Sequence, residues 1–371
     1  MNFIAVNIAW SQNTLILYIS IIAGCYIAAL MFERCYFKFG NYFRFPVWLL
    51  LISATLLYFK GFGTTGRDLR TGYYYNFLSA TSFDHFMDKT VEFGFRALNV
   101  FLRNLTDQYW VFILVVSLLT IVPFMYITHK YRDQIDVPIT ILFYTSIFYF
   151  SSFSPLRVAM AASIALFALD GLIEKRKWKS LFFILLACLI HTSTAILLIP
   201  YVLSFVRIID KRMILIGALF LFLIVYFARE DIIRWFLSLS RYRGYGTGGA
   251  LRMGLEQFFY YVPIFVILFL TRKKCDSHFQ KLSVAFVSIA FVCGLMGYVI
   301  PVFARMNMDF ILLAFIVGWH TKILKEEYVK IRLLINLALI LYCSVRFWLY
   351  ISQYYNLEDI MPYTNIFGTV I

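Results

Sequence analysis

A few charged and aromatic side chains stand out against a very apolar background. Arg157 lies in FSPLRVAMAAS between two greasy runs, and Arg305 follows GYVIPVFA at the start of RMNMDF. His191 lies inside ACLIHTSTAIL. Arg67, Asp68 and Arg70 share GRDLRTGYYY with Tyr73, Glu92 begins EFGFRALN, and Arg241 and Arg243 lie in RYRGYG. A guanidinium presents a fixed fork of donors that matches phosphate oxygens two at a time, so the arginines point to an anionic, phosphorylated ligand. Each also has a plainer reading, as a head-group contact or as an ion pair with Asp68, Asp84, Asp88, Glu92 or Glu256. Asp68 and Glu92 are candidates for a base that removes a hydroxyl proton, or for structural partners of a neighbouring arginine. His191 is open to three readings: a helix-packing histidine, a base or a phosphate ligand. The tyrosines around Tyr73 offer faces for sugar stacking, but Tyr and Trp also gather at membrane interfaces for physical reasons alone.

The elements that position these groups follow from composition. Of 371 residues, 62% are hydrophobic and 15% charged, against about 25% charged in soluble domains. The apolar residues run in blocks such as TLILYISIIAGCYIAALMF at 14–32 and ILIGALFLFLIVYFA at 214–228. A helix needs about 20 such residues to cross a bilayer and satisfies its own backbone there. The chain therefore reads as an all-α polytopic membrane protein, a single integral membrane domain over 1–371. Spanning helices are predicted at about 13–32, 45–60, 109–128, 137–153, 157–173, 180–191, 192–206, 213–229, 257–271, 282–300, 306–321 and 332–350, twelve in all. No cleavable signal peptide is expected, because the first apolar run lacks a basic leader and a small-residue cleavage site. The six cysteines have neither CxxC nor metal-ligand spacing and read as small apolar residues.

The charges order these helices. Loops 33–44, 129–136, 174–179, 207–212, 272–281 and 322–332 hold 20 of the 34 Lys and Arg residues. Every second connection is then basic, which places those loops in the cytoplasm and both termini outside. The stretch 180–206 is long for one helix, and the alternation survives only if it bends back at His191. The net charge of +14 is thus a topology signal, and no nucleic-acid partner is expected. Two outward connections, 61–108 and 230–256, are long, as functional loops are. The first contains VEFGFRALNVFLRNL, whose apolar residues fall at helical spacing and suit the membrane interface. The outer side carries 12 Arg and 2 Lys, the cytoplasmic loops 8 Arg and 12 Lys. Topology alone does not make that difference. Arg157, just after Pro155, is expected to open a helix at the outer surface.

Several stretches, in order, carry a resemblance: Asp68 with Tyr73 in GRDLRTGYYY, EFGFRALN at 92–99, RVAMAASIALFAL at 157–169, LACLIHTSTAILLIPY at 186–201, RMNMDF at 305–310 and MPYTNIFG at 361–368. Together they resemble the EpsG family of bacterial polysaccharide polymerases, similar in function to Wzy-type O-antigen polymerases. The resemblance implies a fold like that of membrane-embedded, GT-C-like glycosyltransferases and a metal-independent reaction without cofactor. The implied substrate is an oligosaccharide repeat unit on undecaprenyl pyrophosphate in the bacterial cytoplasmic membrane, with the active site on the outer face. A flippase and a chain-length regulator are the implied partners. The family's acid-aromatic motif falls on Asp68 and Tyr73, its second acid on Glu92, its arginine on Arg157 and its histidine on His191. Family members often have Gln after the arginine and Pro after the glutamate, where this chain has Val158 and Phe93. In this reading Arg157 and Arg305, with Arg241 or Arg243, stabilise the pyrophosphate leaving group, and Asp68 or Glu92 acts as base with His191 in reserve. A ligase that hands the glycan to another acceptor shares these features. A lipid-linked oligosaccharide flippase is the alternative of a different class, but it favours internal repeats, and none is visible.

Overall fold

The computed structural model of the protein describes residues 9–34, 37–39, 43–206, 211–238, 256–299 and 310–371. These residues are almost entirely helical. The exception of any length is a hairpin in which β1 (Phe37–Phe39) pairs antiparallel with β2 (Phe43–Phe45), Lys38 opposite Arg44.

Among the described residues five helices are long and apolar enough to cross a membrane: α1 (Gln12–Arg34), α6 (Tyr109–Lys130), α8 (Leu156–Ile173), α14 (Ser277–Val299) and α16 (Arg332–Tyr354). Shorter apolar helices lie between them, including α2 (Val47–Gly61), α7 (Val137–Phe143), α10 (Leu198–Phe205), α11 (Lys211–Phe227) and α13 (Glu256–Leu270). α9 (Lys177–Ile190) and α15 (Leu313–Glu327) complete the main bundle. Each predicted span coincides with helix in the described residues. The largest shift is α15, expected at 306–321. Its helix-forming Lys and Glu residues carry it further along the chain, and Lys325 on its last turn pairs with Asp136.

Small side chains let the central helices approach closely, as they do where lipid removes a hydrophobic drive between helices. α8 buries Ala159, Ala161, Ala162, Ala165 and Ala168 against α6 and α9. α16 instead leaves Leu333, Leu334, Leu337 and Leu341 exposed, a surface suited to lipid.

The basic loops 129–136, 174–179, 272–281 and 322–332 gather at one end of the bundle. There Lys130 and Lys179 meet Asp170 and Glu174, His278 Nε2 lies 2.9 Å from the Leu172 carbonyl, and Lys281 reaches the Val206 carbonyl. The ammonium of Lys177, which opens α9, sits 4.9 Å above the ring of Phe205, which closes α10. The chain therefore turns back between α9 and α10, as the charge alternation requires. The turn falls at His191, whose φ of −152° and ψ of 121° break the helix before a 3-10 stretch, Thr192–Leu197.

The far end holds the segment 61–108. It folds as α3 (Arg67–Arg70), α4 (Gly72–Ser79) and the amphipathic α5 (Phe93–Leu105). α5 buries Phe95, Asn99 and Leu102 and exposes Phe93, Phe101 and Leu105, the division expected of an interfacial helix. Of the second long connection, α12 (Arg229–Ser238) is described.

Candidate functional site

α7 runs on through a π-helical stretch, Tyr144–Tyr149, and a 3-10 turn, Phe150–Ser152. The hydroxyls of Thr145, Ser146, Ser151 and Ser152 bond back to carbonyls three or four residues earlier, the competition that loosens an α-helix. The chain then breaks at 153–155 and restarts as α8, with Leu156 and Arg157 in its first turn. Lys60, at the end of α2, supports this break from below. Its side chain is 3% exposed, and its ammonium donates to the carbonyl and hydroxyl of Ser152. A cation is favoured at such a helix C-terminus.

Segment 66–73 crosses above the break. Gly66 adopts φ +120°, and a Cβ there would lie 2.5 Å from the Phe153 carbonyl oxygen, so the crossing requires glycine on both counts. The backbone N–H of Asp68 faces Ser154 Oγ at 3.4 Å. The Tyr73 hydroxyl accepts from the Arg157 N–H at 3.4 Å. Burial pushes the Tyr73 phenol upward, opposed by Arg157 and reinforced by the nearby Asp68.

Glu92 joins three elements. It caps the start of α5, and its side chain is 7% exposed. One carboxylate oxygen accepts from Arg157 Nη1 at 2.9 Å. The other accepts from the Thr192 backbone N–H at 3.2 Å and the Thr192 hydroxyl at 3.1 Å. Burial by itself would raise the Glu92 carboxyl, but Arg157, backbone donors and His191 together hold it below its ordinary value. The approach of α5 to α9 that permits this runs through Gly94, where a Cβ would lie 2.7 Å from the Leu189 carbonyl oxygen.

His191 is fixed by its own turn. Nδ1 accepts the Ser193 N–H at 3.1 Å and lies 2.7 Å from the Ser193 hydroxyl. In the neutral ring this leaves the proton on Nε2. Arg157 lies with its guanidinium 5.7 Å from the centre of the Phe95 ring. Its side chain is 24% exposed, and its buried Nε has no hydrogen-bond partner.

The structure therefore brings Tyr73, Glu92, Arg157 and His191 to one place, with Asp68 on the segment that crosses above. Arg67 is exposed one residue away, and its backbone N–H donates to the Glu358 carbonyl. Arg241, Arg243 and Arg305 lie outside the described residues. Among the described residues no three His, Cys, Asp or Glu side chains come together in a way that could hold a metal ion. Sequence reasoning missed Lys60 as part of this architecture. The signal available was its being one of only two lysines on the arginine-rich side.

No curated protein and no solved structure matches the chain. A family model described as EpsG family matches residues 43–365, a stretch that includes every residue of the cluster just described. The chain belongs to the EpsG family.

Proposed function

We propose that the chain is a polysaccharide polymerase of the bacterial cytoplasmic membrane, a bundle of about twelve crossings with its site on the outer face. It would transfer a growing glycan from undecaprenyl pyrophosphate onto the next lipid-linked repeat unit. The observation that carries this reading is the convergence of Tyr73, Glu92, Arg157 and His191, from four separated stretches, at the end of the bundle opposite the basic loops. Family membership supports the same class of activity.

In the proposed step an acceptor hydroxyl attacks the anomeric carbon of the donor sugar. A new C–O bond forms, the bond to pyrophosphate breaks, and the acceptor proton passes to a base. Arg157, paired with Glu92 but still partly exposed, stabilises the charge that develops on the leaving pyrophosphate. Glu92 is engaged at both oxygens and held ionised, so its best role is to orient that guanidinium. Asp68 is then the preferred base, its loop standing over the helix start from which Arg157 projects. His191, with Nδ1 held by Ser193, would use Nε2 as the donor to a phosphate or sugar oxygen.

The test is deletion of the gene followed by analysis of the cell's glycans. Single capped repeat units are the expected result. Long polymer left unattached would show a ligase, and units stranded on the cytoplasmic face would show a flippase. Either of those two outcomes overturns the reading.

A further inference from the structure

α3, which carries Asp68, is a single turn of four residues, too short to hold its own shape or position. Residues 358–371 fold back across the same end of the bundle and tie it down. Gly66 and Arg67 donate backbone N–H groups to the carbonyls of Asp359 at 3.1 Å and Glu358 at 2.9 Å. Asp359 has φ +51°, a left-handed conformation that Asp tolerates better than most residues.

Thr364 is the hub of this tie and is 1% exposed. Its carbonyl accepts from the Thr64 N–H at 2.8 Å, and its N–H donates to Thr65 Oγ1 at 2.9 Å. Its hydroxyl oxygen accepts from the Thr64 hydroxyl at 2.8 Å and from Arg70 Nη2 at 2.9 Å. Arg70 ends α3, and its Nε donates to the Thr64 carbonyl at 2.9 Å. Both ends of the turn are thus fixed by residues about 300 positions away in sequence. From within, the Tyr109 hydroxyl holds the Leu69 carbonyl at 2.7 Å. Burial pushes the Asp359 carboxyl upward against the pull of Arg70 and Arg67, with Asp68 pushing the same way as burial, so the tie reaches the electrostatics around Asp68 as well.

We propose that Thr364 is a positioning residue for Asp68, its hydroxyl locking Thr64 and Arg70 so that the turn carrying the acid keeps its register above Arg157. The proposal rests on the reading of the chain as a polymerase with Asp68 as its base. Valine has the shape of threonine but offers neither oxygen lone pair, so T364V strips the acceptor from both donors while preserving packing.

The test uses the full chain in proteoliposomes with a lipid-linked repeat unit as substrate. T364V is expected to lower kcat about 30-fold with KM within about twofold of wild type, because a small displacement of a reacting group costs rate rather than binding. T364S, which keeps the hydroxyl, is expected to restore kcat to within about threefold. T64V removes one of the two donors to that hydroxyl and leaves Arg70 in place, so its kcat is expected to fall between wild type and T364V, and the double variant to be no worse than T364V. Should T364V fail to fold, T64V and T364S carry the comparison. Wild-type kcat in T364V or T64V, or a T364S enzyme as slow as T364V, overturns the proposal. D68N separates the two levels. If it keeps full activity, the reading of the site fails. If D68N is inactive while T64V and T364V are normal, that reading stands and the lock alone is lost.

Discussion

The two ends of the bundle treat charge in opposite ways. At the basic end acids are surrounded. Asp170, 3% exposed, accepts from Lys130, from Lys179 and from the Tyr131 hydroxyl at 2.6 Å. Glu174 shares both lysines, and Asp136 takes Lys325. At the far end the cations outrun the acids that bind them. Arg157 has Glu92 and an unpartnered Nε, Lys60 bonds to neutral oxygens of Ser152, and Arg70 donates to the Thr64 carbonyl and the Thr364 hydroxyl, both neutral. A buried network whose members satisfy one another contributes structure. Cations held at membrane depth without full compensation mark a place where an anion is expected. The contrast separates charge used for architecture from charge kept for a ligand.

The largest expected effect of breaking this contrast is at Arg157. Lysine retains the charge but loses the fork that serves Glu92 and a phosphate together. R157K should reduce the transfer rate about 100-fold, the scale seen when one transition-state donor is lost. Glycan length in a deletion strain carrying the variant, at matched protein level, checks this. Wild-type polymer would contradict a leaving-group role.

At the other end the order of effects should reverse. D170N removes a buried carboxylate from between two ammonium groups and should cost about 2 kcal/mol of stability. Thermal unfolding in detergent should show the drop, while transfer per folded molecule stays near wild type. A variant of normal stability that lost activity would join the two ends functionally and remove the distinction.

Much of this arrangement is legible in the sequence, and the parts that are not share a cause. The bend at His191 follows from counting charges, because only a reversal there keeps the basic loops together; Lys177 against Phe205 confirms it. The helix start at Leu156 follows from Pro155, and the amphipathic α5 from its apolar spacing. These are local properties, written within a few turns. Glu92 was recognisable as a rare acid, but its partners lie 65 and 100 residues away. Thr364 reaches Thr64 across 300 residues. Lys60 is one of two lysines on the arginine-rich side, and nothing near it in sequence shows that packing buries it against Ser152. Which polar group meets which is decided by helix packing, and hydropathy alternation carries no record of it.

The smallest effect is the most diagnostic of the Glu92–Arg157 pair. Glu92 is held below its ordinary pKa in the folded protein, so its ionised form contributes stability above the unfolded carboxylate value, about 4.3. That contribution is lost as pH falls through the lower folded value. Glutamine preserves an acceptor for one neighbour but cannot titrate. At pH 6–8 E92Q should therefore unfold at lower temperature than wild type, by a difference worth about 1 kcal/mol. The gap should be constant in that range and close as the pH drops below about 4. A gap that widened on acidification would mean that Glu92 is protonated in the folded state. It would then be a donor to Thr192 rather than a partner of Arg157, and the far end would hold one more uncompensated cation than the ion pair implies.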